Sequence, residues 1–121
     1  VVSGRARMYT PATAKPFKQE IRNVFIRVPD YFPERVAVRV RIDYYLKRPK
    51  SLQRTCDPVG EIVHAKKPDI DNLNKAVLDA ISEAGIWHDD RQVAELSTRK
   101  FYTGKNKKPF VRIAIEEIQP I

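Results

Sequence analysis

Lys67–Gln92 reads KPDIDNLNKAVLDAISEAGIWHDDRQ. From Ile70 onward, Leu73, Ala76, Val77, Ala80, Ile81 and Ala84 fall on one face of a 3.6-residue period, and Gly85 supplies a C-terminal stop. The spacing predicts an amphipathic helix over 70–84 with an aspartate pair at each end: Asp69 and Asp71 at its start, Asp89 and Asp90 beyond its finish. Eight of the fifteen acids lie between Glu61 and Glu95, in a chain whose formal charge is +8. Either these carboxylates cap and solubilise a helix, or they hold something positive.

The bland reading has clear physical grounds. Asp69, after Pro68, stands at a favoured N-cap position, and Asp71 in the first turn complements the positive end of the helix dipole. Asp71 and Lys75 are spaced i, i+4, a surface pair that contributes only ~0.2–0.5 kcal/mol. Against that stands repulsion: four carboxylates near one another are tolerable when a divalent cation neutralises them. Mg²⁺ favours a few carboxylates together with waters and phosphate oxygens. Geometry is the difficulty, because a helix over 70–84 rises ~1.5 Å per residue and separates its ends by ~20 Å. Asp90 must therefore return along the helix on a strand starting near Ile86, or come from a second chain.

Working outward, the 121 residues fit one domain, expected to span 1–121, and 42% hydrophobic with 31% charged residues is a globular composition. No apolar run approaches the ~20 residues of a membrane span. No charged segment followed by an apolar one opens the chain, so the expected location is the cytoplasm. Cys56 is a lone cysteine, which excludes an internal disulfide and a Cys/His zinc site, so any metal is bound by oxygen. Residues 1–60 carry thirteen basic and five acidic side chains, whereas residues 61–121 carry ten of each. Clustered Lys and Arg favour an anionic partner through counterion release, and the first half is the expected electrostatic surface.

Thr10, Pro11 and the apolar positions Phe17, Ile21, Val24, Phe25 and Val28 predict a first helix over 12–27 with a basic polar side. Val36, Val38, Val40 and Ile42 alternate with Ala37, Arg39, Arg41 and Asp43, which predicts a strand with one buried face. PKSLQRTCDPVGEIVHAKK is expected to be a long basic loop with a short strand near Ile62. RQVAELSTRKFYT and FVRIAIEEI read as two strands joined by a hairpin turn at GKNKKP. Together these elements predict an α+β (α/β) fold in which a mixed β-sheet packs against two helices. Trp87 is expected in the core, His64 and His88 as structural or surface residues, and Cys56 as incidental.

The stretch KPDIDNLNKAVLDAISEAGIWHDDRQV resembles the signature of the RusA family of Holliday junction resolvases, endodeoxyribonucleases of bacteria and their phages. GRARMYTPATAKPFKQEI is similar to the N-terminal region of phage-type members, and the resemblance covers most of the chain. It implies a RusA-like fold and a Mg²⁺-dependent homodimer, with Mn²⁺ as a substitute, that makes paired symmetric cuts in four-way junction DNA during recombination and repair. It also implies a bacterial or prophage origin and no organic cofactor. By motif it places catalysis on Asp69, Asp71, Asp90 and Lys75, with the three aspartates as metal ligands and Asp89 as a further candidate. The family usually opens with a strand before a GRAR-like stretch, so this chain, which begins without Met, is expected to be trimmed there. DNA holding is assigned to Arg5, Arg7, Arg54, Lys66 and Lys67, with Lys105, Lys107 and Lys108 as further candidates. The competing expectations are a non-catalytic basic nucleic-acid-binding module and a structural dimer that is basic only for solubility.

Overall fold

The computed structural model of the protein describes residues 5–9 and 17–119. In chain order its elements are β1 (Arg5–Tyr9), α1 (Phe17–Phe25), β2 (Val38–Leu46), a 3-10 turn (Lys50–Leu52), β3 (Ile62–Val63), α2 (Ile70–Glu83), a second 3-10 turn (Asp90–Gln92), β4 (Val93–Tyr102) and β5 (Phe110–Glu117). Two helices and one mixed sheet make the α+β architecture that the periodicities predict. The expected cap Thr10 and the first residues of the expected helix lie outside the described residues. α1 gives way to a turn at Ile26 and Arg27, ahead of Pro29, a residue that disfavours helix before it.

The strands lie in the order β1-β5-β2-β4-β3. This corrects the expected hairpin, because β2 lies between β4 and β5, parallel to the first and antiparallel to the second. The physical reason is burial: Ile42, Asp43, Tyr44 and Tyr45 of β2 are all buried, so this strand needs neighbours on both edges and cover on both faces. GKNKKP instead carries the chain past the end of β2, where the Thr103 N–H donates to the Leu46 carbonyl at 2.9 Å. α2 is then the crossover between parallel β2 and β4, the connection that a parallel pair requires.

One face of the sheet is apolar. Val38, Val40, Ile42 and Tyr44 of β2 and Val111, Ile113 and Ile115 of β5 pack beneath Ile21 and Phe25 of α1 and Val77, Ala80 and Ile81 of α2. Phe32 and Trp87 close this core, joined by an isolated parallel bridge, and the Trp87 indole donates to Ser82 Oγ at 2.6 Å. No helix among the described residues covers the other face. There Arg39 bonds both Glu95 and Glu116, Arg99 grips Asp43 through two nitrogens at 2.9 and 3.1 Å, and the Tyr45 ring stacks between Phe101 and Phe110. Asp43, expected on an exposed face, is thus buried beneath its cross-strand arginine.

The 49–61 loop is organised by a residue that the sequence reading passes over. Arg48 is buried, and its guanidinium donates to the carbonyls of Thr103 (2.8 Å), Leu52 (2.8 Å) and Gly60. Substituting Arg48→Met leaves those carbonyls without their donor, at ~1–3 kcal/mol for each buried group left unsatisfied. Faster amide hydrogen exchange is expected at Leu52 to Ile62, with the core strands β2 and β5 keeping their relative order; equal protection in the variant counts against this role.

Candidate active site

Asp69 is the N-cap residue of α2, yet its side chain makes no capping hydrogen bond; only its carbonyl joins the helix, accepting from Leu73 N–H at 3.1 Å. The expected capping role is therefore not what occupies this carboxylate. Nor does Asp71 form the i, i+4 ion pair with Lys75: among the described residues none joins them, and the Asp71 carboxylate accepts from its neighbour's N–H on Asn72 at 3.0 Å. Both aspartates and Lys75 are exposed. Asp69 and Asp71 line an open groove with Val63, His64, Ile70, Thr98, Arg99, Lys100 and Phe101. Two acids thus stand at the positive end of a fourteen-residue helix.

Side chains from the sheet fix this groove. Lys100 donates from Nζ to the carbonyls of Lys66 (2.6 Å) and Pro68 (2.8 Å), holding the segment that enters α2, in which the Lys67–Pro68 peptide is cis. Asn74 accepts from the Tyr44 hydroxyl at 2.8 Å and donates to Thr98 Oγ1 at 3.3 Å, which seats the first turns of α2 over β2 and β4. His64 is buried against the Tyr102 ring, and its Nδ1 accepts from Lys66 N–H at 3.1 Å. Burial, and then the Lys100 charge, hold its pKa below the usual imidazole value, so His64 is a neutral structural residue.

The second acid pair is built differently. Asp89 caps the 3-10 turn, accepting from Arg91 N–H at 3.0 Å, while Gln92 accepts from the N–H groups of His88 (2.7 Å) and Asp89 (3.1 Å). The Gln92 amide nitrogen donates to the carbonyls of Pro33 at 2.8 Å and Val36 at 3.0 Å. One buried carboxamide therefore ties the aspartate turn to the segment before β2. The sequence carries this only as a polar residue placed immediately after two acids.

Asp89 and Asp90 are shifted in opposite directions. The Arg91 N–H, and then the hydrogen bond with Asp90, hold Asp89 below the usual carboxylate range. Asp90 is raised, first by the hydrogen bond with Asp89, then by partial burial, and last by the charges of Asp89 and Asp79. Asp79 is therefore the α2 acid nearest in influence to Asp90, and it lies eight residues from Asp71. At ~1.5 Å per residue that is about 12 Å along the axis. The expected strand returning from Ile86 is absent; the 3-10 turn brings Asp90 back only part of the way. Among the described residues no three of the Asp, Glu, His and Cys side chains lie close enough together to hold a metal ion.

The expected DNA-holding residues are dispersed. Arg5 and Arg7 fall on β1, with side chains outside what is described; Lys66 and Lys67 are exposed beside the groove entrance. Arg54 is engaged by Asp57, at 3.2 Å from both Nε and Nη2. Lys107 and Lys108 line a second groove with Val59, Gly60, Glu61, Gly104 and Phe110, and Lys105 reaches the Thr55 carbonyl at 3.5 Å.

A family model described as Endodeoxyribonuclease RusA matches residues 1–116. An uncharacterized protein of Bacillus subtilis (strain 168), YqaN, is 32% identical over 124 residues, covering 96% of this chain and 82% of that protein. The crossover junction endodeoxyribonucleases RusA of Escherichia coli (strain K12) and Shigella sonnei (strain Ss046) are each 33% identical over 61 residues, which is 50% of this chain. The match spans about half, 48%, of the length of those two proteins.

Two outcomes are expected of the aspartate turn. Gln92→Leu leaves the part-buried N–H groups of His88 and Asp89 without their acceptor and the Pro33 and Val36 carbonyls without their donor, and lowers unfolding free energy by roughly 1–3 kcal/mol, read by chemical denaturation. Asp89→Asn keeps an acceptor for Arg91 N–H but removes the neighbouring charge, so the Asp90 titration followed by carboxyl NMR moves down toward the ordinary aspartate value.

Proposed function

The chain belongs to the RusA family of endodeoxyribonucleases, and from that premise we propose that it is a Mg²⁺-dependent resolvase of four-way DNA junctions, acting as a homodimer that cuts two opposed strands. The observation that carries this reading is the unspent pair at the start of α2. Asp69 stands at an N-cap position without capping, and Asp71 stands beside Lys75 without pairing with it. Exposed carboxylates with no ion pair among the described residues, Asp71 accepting only the Asn72 N–H, suit a hard cation in a basic chain, since such a cation takes oxygen ligands and keeps sites for water and phosphate. Once bound, such an ion lowers the pKa of a water nucleophile and neutralises charge on the phosphate oxygens.

In this reading Asp69 and Asp71 are metal ligands. Lys75 adds positive charge toward the scissile phosphate, while Arg99, Lys66 and Lys67 favour the DNA backbone on the groove side. Asp90 is the third ligand and Asp89 its capping support, because Asp89 spends its carboxylate on Arg91 N–H. Asp90 lies beyond the end of α2 in the turn that opens β4 and Asp69 and Asp71 lie at its start, and in this reading the Asp69 and Asp71 that join Asp90 are those of a second copy. Dimerisation would then complete two equivalent sites at once, and two symmetric cuts would leave ligatable duplexes.

A non-catalytic DNA-binding module is the alternative, favoured by the absence of a three-acid cluster among the described residues. A labelled four-way junction, incubated with and without Mg²⁺, separates the two. Asp71→Asn and Asp90→Asn are each expected to reduce Mg²⁺-dependent nicking by at least ~100-fold, since even partners outside the ligand shell are typically worth 10–100-fold. Junction binding in a gel-shift assay is retained. Unaltered cleavage by both variants removes the metal-site assignment, and binding without any cleavage by the parent chain favours the module.

A further inference from the structure

We infer that the homodimer is built by the outer edge of β4, paired antiparallel with the same edge of a second copy and centred on Ser97. The inference rests on the homodimer reading above and adds to it a surface, a direction and a register.

β4 runs for ten residues, but its outer neighbour β3 pairs only with Tyr102 and Phe101, and His64 N–H extends that pairing to the Lys100 carbonyl at 3.1 Å. At its other end β4 bulges: Val38 is opposite Val93, and Arg39 is opposite Glu95. Between the two lies the regular stretch Glu95–Arg99, which among the described residues has no strand on its outer side. Glu95, Leu96, Ser97 and Arg99 are exposed, Leu96 at 41%. An open, exposed edge of this kind is a template for another strand, and proteins ordinarily block or partner it.

The limits of the open stretch select one register, and hydrogen-bond direction and charge are both compatible with it. A five-residue window mapped antiparallel onto itself overlaps fully only when its middle residue, Ser97, faces its own copy. In that register Lys100, where β3 takes over, stands opposite Ala94, where the bulge ends the regular strand, so neither obstruction enters the pairing. Hydrogen-bond direction agrees: the Lys100 carbonyl points outward, so by alternation the backbone groups of Leu96 and Thr98 do too. Leu96 then meets Thr98 of the second copy as a hydrogen-bonded pair, and the two Ser97 residues form a non-hydrogen-bonded pair. Charge agrees as well. Glu95, held in its own chain by Arg39, and Arg99, held by Asp43, are brought opposite one another twice, so that unlike and not like charges face across the seam and the in-chain pairs extend into one network.

The axis relating antiparallel neighbours is perpendicular to the sheet, so the helices of both copies lie on one face. The Thr98–Phe101 side of each groove then faces the beginning of the second copy's β4, the end that carries Asp90. A single chain separates Asp71 from Asp90 along α2; the reversed second copy brings its Asp90 to the level of Asp71.

Site-directed crosslinking tests the edge. The Cα atoms of a non-hydrogen-bonded antiparallel pair are ~4.5 Å apart, within disulfide range. In a Cys56→Ser background, which removes the exposed free thiol, Ser97→Cys is expected to crosslink most chains into covalent dimers under mild oxidation. Ala94→Cys, ~20 Å from its copy in this register at ~3.3 Å per residue, is expected to give little. By sedimentation, Leu96→Pro, which removes a backbone N–H that points outward and not toward β2, weakens dimerisation tenfold or more. A dimer in which Ser97→Cys does not crosslink and Leu96→Pro leaves association unchanged overturns the β4 edge while leaving the homodimer standing. A chain that is monomeric at every concentration, with or without a four-way junction, overturns both.

Discussion

A helix that connects two parallel strands runs opposite to them, and it cannot bring both of its ends to one place. That constraint governs this structure. β2 takes the centre of the sheet because its second half is buried on both faces, β4 is parallel to it, and α2 is the crossover. The start of α2 therefore lies over the later half of β4, where Asn74 reaches Thr98, and its end lies beside the turn that opens β4. The two aspartate pairs are assigned to different ends of the same layer by topology alone.

What each pair does with its carboxylates follows from local hydrogen bonding. At the start of α2 the helix closes through the Asp69 carbonyl, leaving the side chain uncommitted in a groove beside Arg99. At the far end Asp89 is committed to a backbone N–H, and its proximity raises the pKa of Asp90. Gln92 makes this second arrangement rigid, because its carboxamide satisfies donors in the turn and acceptors in the segment before β2 at once. Side-chain capping thus falls on Asp89 at the far end and not on Asp69, the residue at the N-cap position of α2.

The same topology redistributes the charge. The chain has an excess of basic residues in its first half, but the sheet carries acids of the second half to them. Arg39 meets Glu95 and Glu116, while Asp43 recruits Arg99 in the opposite sense. Arg48 is withdrawn from the surface to hold three carbonyls, and Arg54 is held by Asp57. The expected electrostatic surface of residues 1–60 is correspondingly smaller, and the exposed cations nearest the groove, Lys66, Lys67, Lys75 and Arg99, come from the second half.

By itself the sequence determined both helices, the strands β2 to β5, the core positions Val77, Ala80, Ile81 and Trp87, and the RusA-like motif, because period and local spacing are written in the order of residues; it did not give β1 at Arg5–Tyr9. It also exposed the ~20 Å difficulty, since helix rise is fixed. Only the tertiary structure decided that β2 separates β4 from β5, that Asp43 is buried, that Gln92 and Arg48 are hubs, and that the edge of β4 is open. Each of these depends on which strands become neighbours. Neighbour choice is a competition for burial among all the elements together, and no local stretch of sequence encodes its result.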